Sequence, residues 1–560
     1  MNLGIDFGST YSMLSYYDNI NKILKPVAPE GNSPHIPSVA CRRAKFKPGD
    51  AFSYGYAAKT KLDKDKKNAL TPYRAFKMLL PVSDQKELHK QGYLNGVTPR
   101  MVSKEFLRSQ LQSVNSKYDV EQVTICIPYV WDQDYSTLSG KGILYEICQE
   151  LQDEGLMKSF RVVSEPAAAT ACIAHQLSLQ TKKLYQGWIL IIDYGGGTLD
   201  ITLSKVRTVN RNRKDYMEIS VEGQAGAGEN HPDNRIGDAG IAYMNAVVAQ
   251  ALTDAGCEYE RDTEFQDAVD LLEVALINEN QELLDKVEEA SSNPSILKHD
   301  MDEFMTFPYG DMDEVPVTYS TLVRVYDSLI RPLLDQELKK IFNKKMRSLL
   351  GMKTPKDTVS NLQIALVGGF GQFILVRQQV CEFFNIGDSD EIGVSKEDAI
   401  SYGAALIANG NVALQVRAPA SIGICYSVKK NDFDFSFLRH APLEPGKIYL
   451  LDHPVFYTGS KDKKDFPWQF VLNLDGNPKC GRVLVPVDDE VRQKMLQVGI
   501  GGFKCGFSVN ESEVITFWYA EANTHGKYDP ATLQKKELGN IPGIFGSVIN
   551  MEAAPLVEKK

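Results

Sequence analysis

Ile189-Leu190-Ile191-Ile192-Asp193-Tyr194-Gly195-Gly196-Gly197-Thr198-Leu199-Asp200-Ile201-Thr202-Leu203 is an apolar β run that ends in a carboxylate, turns on three glycines and resumes as a second run. The chain opens on a shorter version, Leu3-Gly4-Ile5-Asp6-Phe7-Gly8-Ser9-Thr10-Tyr11. Glycines without Cβ let a turn take positive φ and lay its N–H groups against phosphate oxygens. Ser9, Thr10 and Thr198 add hydroxyl donors to the two turns. Carboxylates at Asp6 and Asp193 would repel a triphosphate unless Mg²⁺ lay between, with the acids holding its water shell. Either copy alone reads equally as a plain hairpin turning on Asp and Gly. Two copies a domain length apart predict a nucleotide held between related halves.

Three further segments fit that plan. The apolar run from Asn361 to Val367 ends in Gly368-Gly369-Phe370-Gly371-Gln372 and precedes a helical pattern from Phe373 to Phe384. A strand, a Gly-Gly turn and a helix start allow close backbone approach to a nucleoside. Ser164-Glu165-Pro166-Ala167-Ala168-Ala169 places a carboxylate at a helix start whose small residues allow close packing, which would aim Glu165 into a cleft. Tyr402-Gly403-Ala404-Ala405 closes the array.

In order and wording these segments resemble the phosphate, connecting and adenosine elements of the actin-like ATPase superfamily, and specifically of the DnaK-type 70-kDa heat-shock chaperones, over about residues 2–410. The resemblance implies an α/β actin-like ATPase fold, two lobes around a nucleotide cleft, binding ATP and Mg²⁺. It implies Asp6 and Asp193 for the metal, and Gly8, Ser9, Thr10, Tyr11, Gly195, Gly196, Gly197 and Thr198 for the phosphates. Lys77, in Arg74-Ala75-Phe76-Lys77-Met78-Leu79-Leu80, matches the family's catalytic lysine, acting by position and charge on the γ-phosphate. Its plain alternative is a solvated helix lysine. Glu165 would orient water or couple the site to the next domain, with Asp193 and Thr198 also at the reacting end. Gly368, Gly369 and Gly371 would flank adenosine, and Gly237 and Lys286 would add contacts. Pro128 matches the family's switch proline. Where the family has arginine eight residues later, this chain has Ser136. Where it has Ser-Thr-Arg after the paired glycines, this chain has Phe370-Gly371-Gln372.

The formal charge of −10 over 560 residues, with no basic stripe interleaved with aromatics, argues against nucleic acid as a partner. No stretch has the length and apolarity of a membrane span and no leader core opens the chain, so the expectation is a cytoplasmic protein. Nine cysteines lie without Cys-x-x-Cys spacing, against a metal or disulfide framework.

The expected organisation is a nucleotide-binding domain over 1–410, with lobes of about 1–175 with 381–410 and 176–380. A linker follows at 411–417, then a mainly β-sandwich domain at 418–528 and a short tail at 529–560. Tyr319 to Leu350 reads as a long helical pattern that Pro332 kinks or divides. After Asn409-Gly410 helical periodicity nearly disappears and short β runs alternate with turns. The resemblance there, through Ala418-Pro419-Ala420-Ser421-Ile422-Gly423-Ile424 and Phe503 to Ala520, implies a substrate-binding-like domain without the family's helical lid.

The leading expectation is a divergent chaperone-like ATPase, a slow ATP hydrolase whose lidless β-domain holds unfolded or extended polypeptide. By the resemblance it would serve protein folding and the stress response, with a J-domain co-chaperone and a nucleotide exchange factor as partners. The alternatives are a conformational scaffold that binds ATP with little hydrolysis, and a small-molecule kinase of the same superfamily. The carboxy-terminal β region weighs against the kinase.

Overall fold

The computed structural model describes residues 1–28, 33–43, 51–65, 69–132, 140–195, 198–211, 214–227, 240–278, 283, 285–286, 294–354, 357, 362–386, 393–394, 398–427, 432–456, 469–473, 482–485, 487, 489–497, 502–523 and 525–539. The chain divides into two units, Met1–Asp134 with Leu144–Leu414, and Tyr135–Ile143 with Gln415–Lys560.

The first unit holds one topology twice. Strands β1 (Asn2–Asp6), β2 (Tyr11–Asp18), β3 (Ile23–Val27), β4 (Gln122–Ile127) and β5 (Ser159–Ser164) lie in the order β3-β2-β1-β4-β5. Strands β6 (Gly187–Tyr194), β7 (Leu199–Arg211), β8 (Lys214–Ala227), β9 (Leu362–Val367) and β10 (Gly393–Val394) repeat it as β8-β7-β6-β9-β10. In each sheet the first three strands are antiparallel and the last two join in parallel. Both glycine turns therefore occupy the same place, the hairpin after the central strand.

β6 is apolar on both faces because both are covered. Leu190, Ile192 and Tyr194 enter a core with the helix Gly240–Asp254 and the helices after Thr318. Ile189 and Ile191 enter another with α1 (Glu165–Thr181) and α2 (Ala399–Ala408), the helices that follow β5 and β10. The two helices cross where a Cβ on Gly403 would stand 1.7 Å from the Ala168 carbonyl oxygen. α2 also lies on β1, where a Cβ on Gly4 would stand 2.2 Å from Ala405 N. Only glycine allows either approach, so the small-residue runs read from the sequence are what let these elements close.

The long helical pattern divides into Tyr319–Val325, a π turn Tyr326–Ile330, Arg331–Ile341 and Lys344–Leu350. Pro332 sits in the first turn of the third piece, and Asn343 caps the last by accepting from Met346 N at 3.1 Å. Within the stretch expected as a linker, β11 (Val412–Leu414) adds in parallel to β8 as a sixth strand.

In the second unit two antiparallel sheets share one core. One runs Asp432–Phe437, Ser421–Ser427, Gln469–Asn473, Arg482–Val485; the other contains Tyr449–Leu450, Gly502–Val509, Ile515–Ala522 and Gln534–Gly539. Phe470 of the first packs on Phe507 and Phe517 of the second, with ring centroids 5.6 and 4.7 Å apart. Two expectations change here. The segment taken as a tail supplies a strand, Gln534–Gly539, paired to Ile515–Ala522. A helix, Asp489–Gln497, interrupts the β region and buries Val491 and Met495. Among the described residues no helix is long and apolar enough to cross a membrane.

Candidate functional site

Asp6 ends β1 and Asp193 nears the end of β6, because in each strand the apolar run stops where the glycine turn begins. Gly8 is forced: a Cβ there would stand 1.9 Å from the Tyr11 carbonyl oxygen. Ser38 fastens this turn, its hydroxyl donating to Gly8 O at 2.7 Å and its N–H to Thr10 O at 2.8 Å. The turn leaves Ser9 half-buried and Thr10 and Tyr11 exposed. In the second hairpin Gly195 N–H donates to Thr198 O at 3.0 Å, while Gly195 O accepts from Gly240 N–H at 3.2 Å. Gly196, Gly197, Gly237 and Ser136 lie outside the described residues.

Lys77 is no solvated helix lysine. It lies in a turn after the strand Leu70–Tyr73, is 3% exposed, and its ammonium donates to the Glu165 carboxylate. Phe76, Met78, Leu79 and Leu80 are buried around it, and Ala75 takes a φ of 51° to turn the chain inward. Glu165 is the first residue of α1, where the positive end of the helix dipole favours a carboxylate. Phe7 and Trp131 rings each lie 6.0 Å from the Lys77 ammonium.

The register adds an acid not singled out from the sequence. Across the second hairpin Asp193 stands directly opposite Asp200, whereas Asp6 stands opposite Met13. Directly opposed like charges are destabilising, and both are buried. Counting back symmetrically from the turn, Tyr194 with Leu199 and Asp193 with Asp200, would have found it.

Burial raises the Asp6 carboxyl to about 7, with Glu165 pushing the same way and Lys77 opposing. Burial raises Asp200 to about 8, again with Glu165 adding to it. Burial, then Glu165, Asp200 and Asp6, hold Asp193 well above the carboxylate range. Burial pulls Lys77 down, but Glu165 and Asp6 outweigh it and the ammonium is held above its ordinary value. Four acids around one ammonium thus lack positive charge.

Asp193 Oδ2 and both Asp200 carboxylate oxygens are buried without a hydrogen-bond partner of good geometry, while Tyr129 N–H and the Thr198 hydroxyl partly offset the effect of burial on Asp200. Among the described residues no three acid, imidazole or thiol groups converge closely enough to hold a metal ion directly. Acceptors without donors, short of direct ligation, fit a hydrated Mg²⁺ whose waters donate to them.

The Gly368 turn lies on this cluster. With φ 79°, a Cβ there would stand 2.6 Å from Tyr194 O and 2.7 Å from Asp193 Oδ1. Gly371 packs behind the same strand, and Gly369 faces open space. The Phe370 ring lies 5.0 Å from Tyr194 and 5.3 Å from Tyr243, against Gly240. Lys286, expected as a contact for the base, instead donates to Asp300 at 2.9 Å and Asp302 at 2.8 Å beneath the Tyr319 ring.

No family model matches the chain. It is similar to Heat shock 70 kDa protein 13 of Rattus norvegicus, 25% identical over 464 residues that cover 74% of this chain and 90% of that protein. It is similar to Chaperone protein HscA homolog of Shewanella sp. (strain MR-4), 25% identical over 427 residues, 73% of this chain and 58% of that one. Chaperone protein DnaK of Metamycoplasma hominis is 24% identical over 412 residues, 72% of this chain and 58% of that one.

Proposed function

The chain being a divergent member of the 70-kDa heat-shock family, we propose that its first unit is an actin-like ATPase that binds and slowly hydrolyses ATP, and that the second binds extended polypeptide under its control. The observation that carries the reading is the Lys77–Glu165 pair buried beside Asp6, Asp193 and Asp200, between two turns of one duplicated topology.

Asp6, Asp193 and Asp200 would hold hydrated Mg²⁺, which when bound screens the charge between phosphate oxygens. Ser9, Thr10, Tyr11 and the Gly195 to Thr198 turn would receive the phosphates through hydroxyl and N–H donors. Lys77 would neutralise charge on the terminal phosphoryl group, with Glu165 fixing its direction. Gly368, Gly369 and Gly371 would flank the nucleoside, with the open space at Gly369 supporting a close backbone approach. Polypeptide binding is supported by the two-sheet architecture of the second unit, whose outer strands present edges to which an extended chain could add. Co-chaperone and exchange-factor partners follow from the family alone, and a cytoplasmic setting remains part of the same reading.

The test is single-turnover hydrolysis of ATP with Mg²⁺ by the wild type and Lys77→Ala, with limited proteolysis at residues 409–418 in the same samples. Hydrolysis lost in the variant, with cleavage differing between ATP and ADP, is the expected result. Binding of ATP by both proteins without hydrolysis, and with unchanged cleavage, would leave the nucleotide a scaffold ligand and defeat the ATPase reading.

A further inference from the structure

Trp131 belongs to the single helical turn Tyr129–Asp132 that follows Pro128 at the end of β4, and its N–H donates to Pro128 O at 3.1 Å. Its side chain is 0% exposed, and its indole Nε1–H is buried without an acceptor. An indole can only donate. Buried donors in folded proteins are nearly always paired, and an orphan calls for an explanation. Trp518 shows the ordinary solution, its Nε1–H donating to Ser508 Oγ at 2.7 Å. Packing alone does not explain Trp131, because phenylalanine would fill apolar space without stranding a donor.

The surroundings specify the missing acceptor. The Lys77 ammonium lies over the indole ring, 6.0 Å from its centroid, so the orphan donor belongs to a side chain packed on the site's cation. Glu165 accepts from Lys77, and Asp193 Oδ2 and the Asp200 oxygens, though without a donor of good geometry, do not receive the indole N–H. Among the described residues none accepts a hydrogen bond from the indole. We propose that Trp131 is a ligand-contacting residue whose Nε1–H donates to an oxygen of the terminal phosphate of a nucleoside triphosphate, beside Lys77. The proposal rests on the ATP-site reading above. Its chemistry is that of a phosphate monoanion or dianion, which free inorganic phosphate shares, and the test separates the two sources.

Two variants isolate the N–H. Trp131→Phe keeps an aromatic ring beside Lys77 and removes the donor together with the volume of one fused ring, which is why ADP affinity is read beside ATP affinity. A triple variant, Trp188→Phe, Trp468→Phe and Trp518→Phe, leaves Trp131 as the sole emitting tryptophan. With Mg²⁺ present, ATP is expected to shift the emission of the triple variant, while ADP alone leaves it unchanged. Inorganic phosphate added with ADP reproduces the shift if the contact reads a phosphate oxygen irrespective of its attachment. Added alone, it shifts nothing if the nucleotide must first order the site.

In Trp131→Phe the ADP affinity is expected to stay as in the wild type. Its ATP affinity falls about tenfold, as loss of a hydrogen bond to a charged acceptor implies, and single-turnover hydrolysis slows with it. Equal weakening of ADP and ATP would make Trp131 a packing residue and overturn the proposal. So would an emission spectrum indifferent to ATP, which is read without Trp131→Phe and so survives a folding failure of that variant. If the wild type binds neither nucleotide, the ATP-site reading itself has failed.

Discussion

Asp6 and Asp193 end equivalent strands of two sheets with one topology, yet one faces Met13 across its hairpin and the other faces Asp200. The first turn is fastened from outside by Ser38, while the second closes on itself through Gly195 and Thr198. A duplicated scaffold thus delivers its two turns to one place, and the chemistry differs through what the register sets opposite each acid. The second hairpin keeps two buried like charges together and depends on a proton or a cation to do so. The first carries a single acid and depends on neither to the same degree.

The largest effect should come from parting the halves. Gly403→Ala puts a methyl 1.7 Å from a main-chain oxygen that cannot rotate away, so a loss of about 3 kcal/mol or more is expected in urea unfolding. A variant as stable as the wild type would mean that the α1 and α2 crossing does not hold the sheets as described. Next comes Lys77→Met, which among the described residues strips the ammonium that sits among four acids. Breaking a buried pair by one partner costs about 3–5 kcal/mol, and added Mg²⁺ should restore part of the loss. Restoration by sodium at equal ionic strength would contradict a specific cation site.

The asymmetry itself is tested by pH. Asp200 held at about 8 and Asp6 at about 7 keep protons in the folded protein that the unfolded chain has already released. Their contribution is full below about pH 4 and is lost as pH rises through 7 and 8. Thermal unfolding should therefore fall across that window. Asp200→Asn should flatten the fall more than Asp6→Asn does, gaining about 1–2 kcal/mol at pH 8 through relief of the opposed charges. Equal flattening by the two would erase the difference between the hairpins. The smallest effect is Gly369→Ala, whose added methyl meets open space; stability should stay within about 0.5 kcal/mol, and nucleotide affinity reports on the turn alone.

Much of the site could be read locally. Asp6, Glu165, Asp193 and the glycine turns announce themselves because strand, acid and turn are contiguous. Lys77 needed the family's wording, since its burial depends on Ala75 adopting a left-handed backbone that sequence does not advertise. Asp200 required register, and Trp131 required knowing that its indole N–H finds no acceptor, a property of packing in three dimensions. In the fold, alternating strands and helices were legible in the first unit. The strand Gln534–Gly539 was not, because an edge strand written Gln-Lys-Lys-Glu-Leu-Gly carries charge where pattern reading looks for apolar alternation. The helix Asp489–Gln497 was hidden by its shortness and by its two buried anchors, Val491 and Met495.

β11 pairs only with Met217–Ile219, at the outer edge of a strand fourteen residues long. Were those three residues to lift off, Met217 and Ile219, 2% and 1% exposed, would border a row of unpaired main-chain groups. Such an edge is a template for another chain. Whatever frees Val412–Leu414 therefore also sets a solubility limit: the protein should self-associate most readily when this segment is cut or released, and concentration-dependent turbidity after cleavage at residues 409–418 would report it.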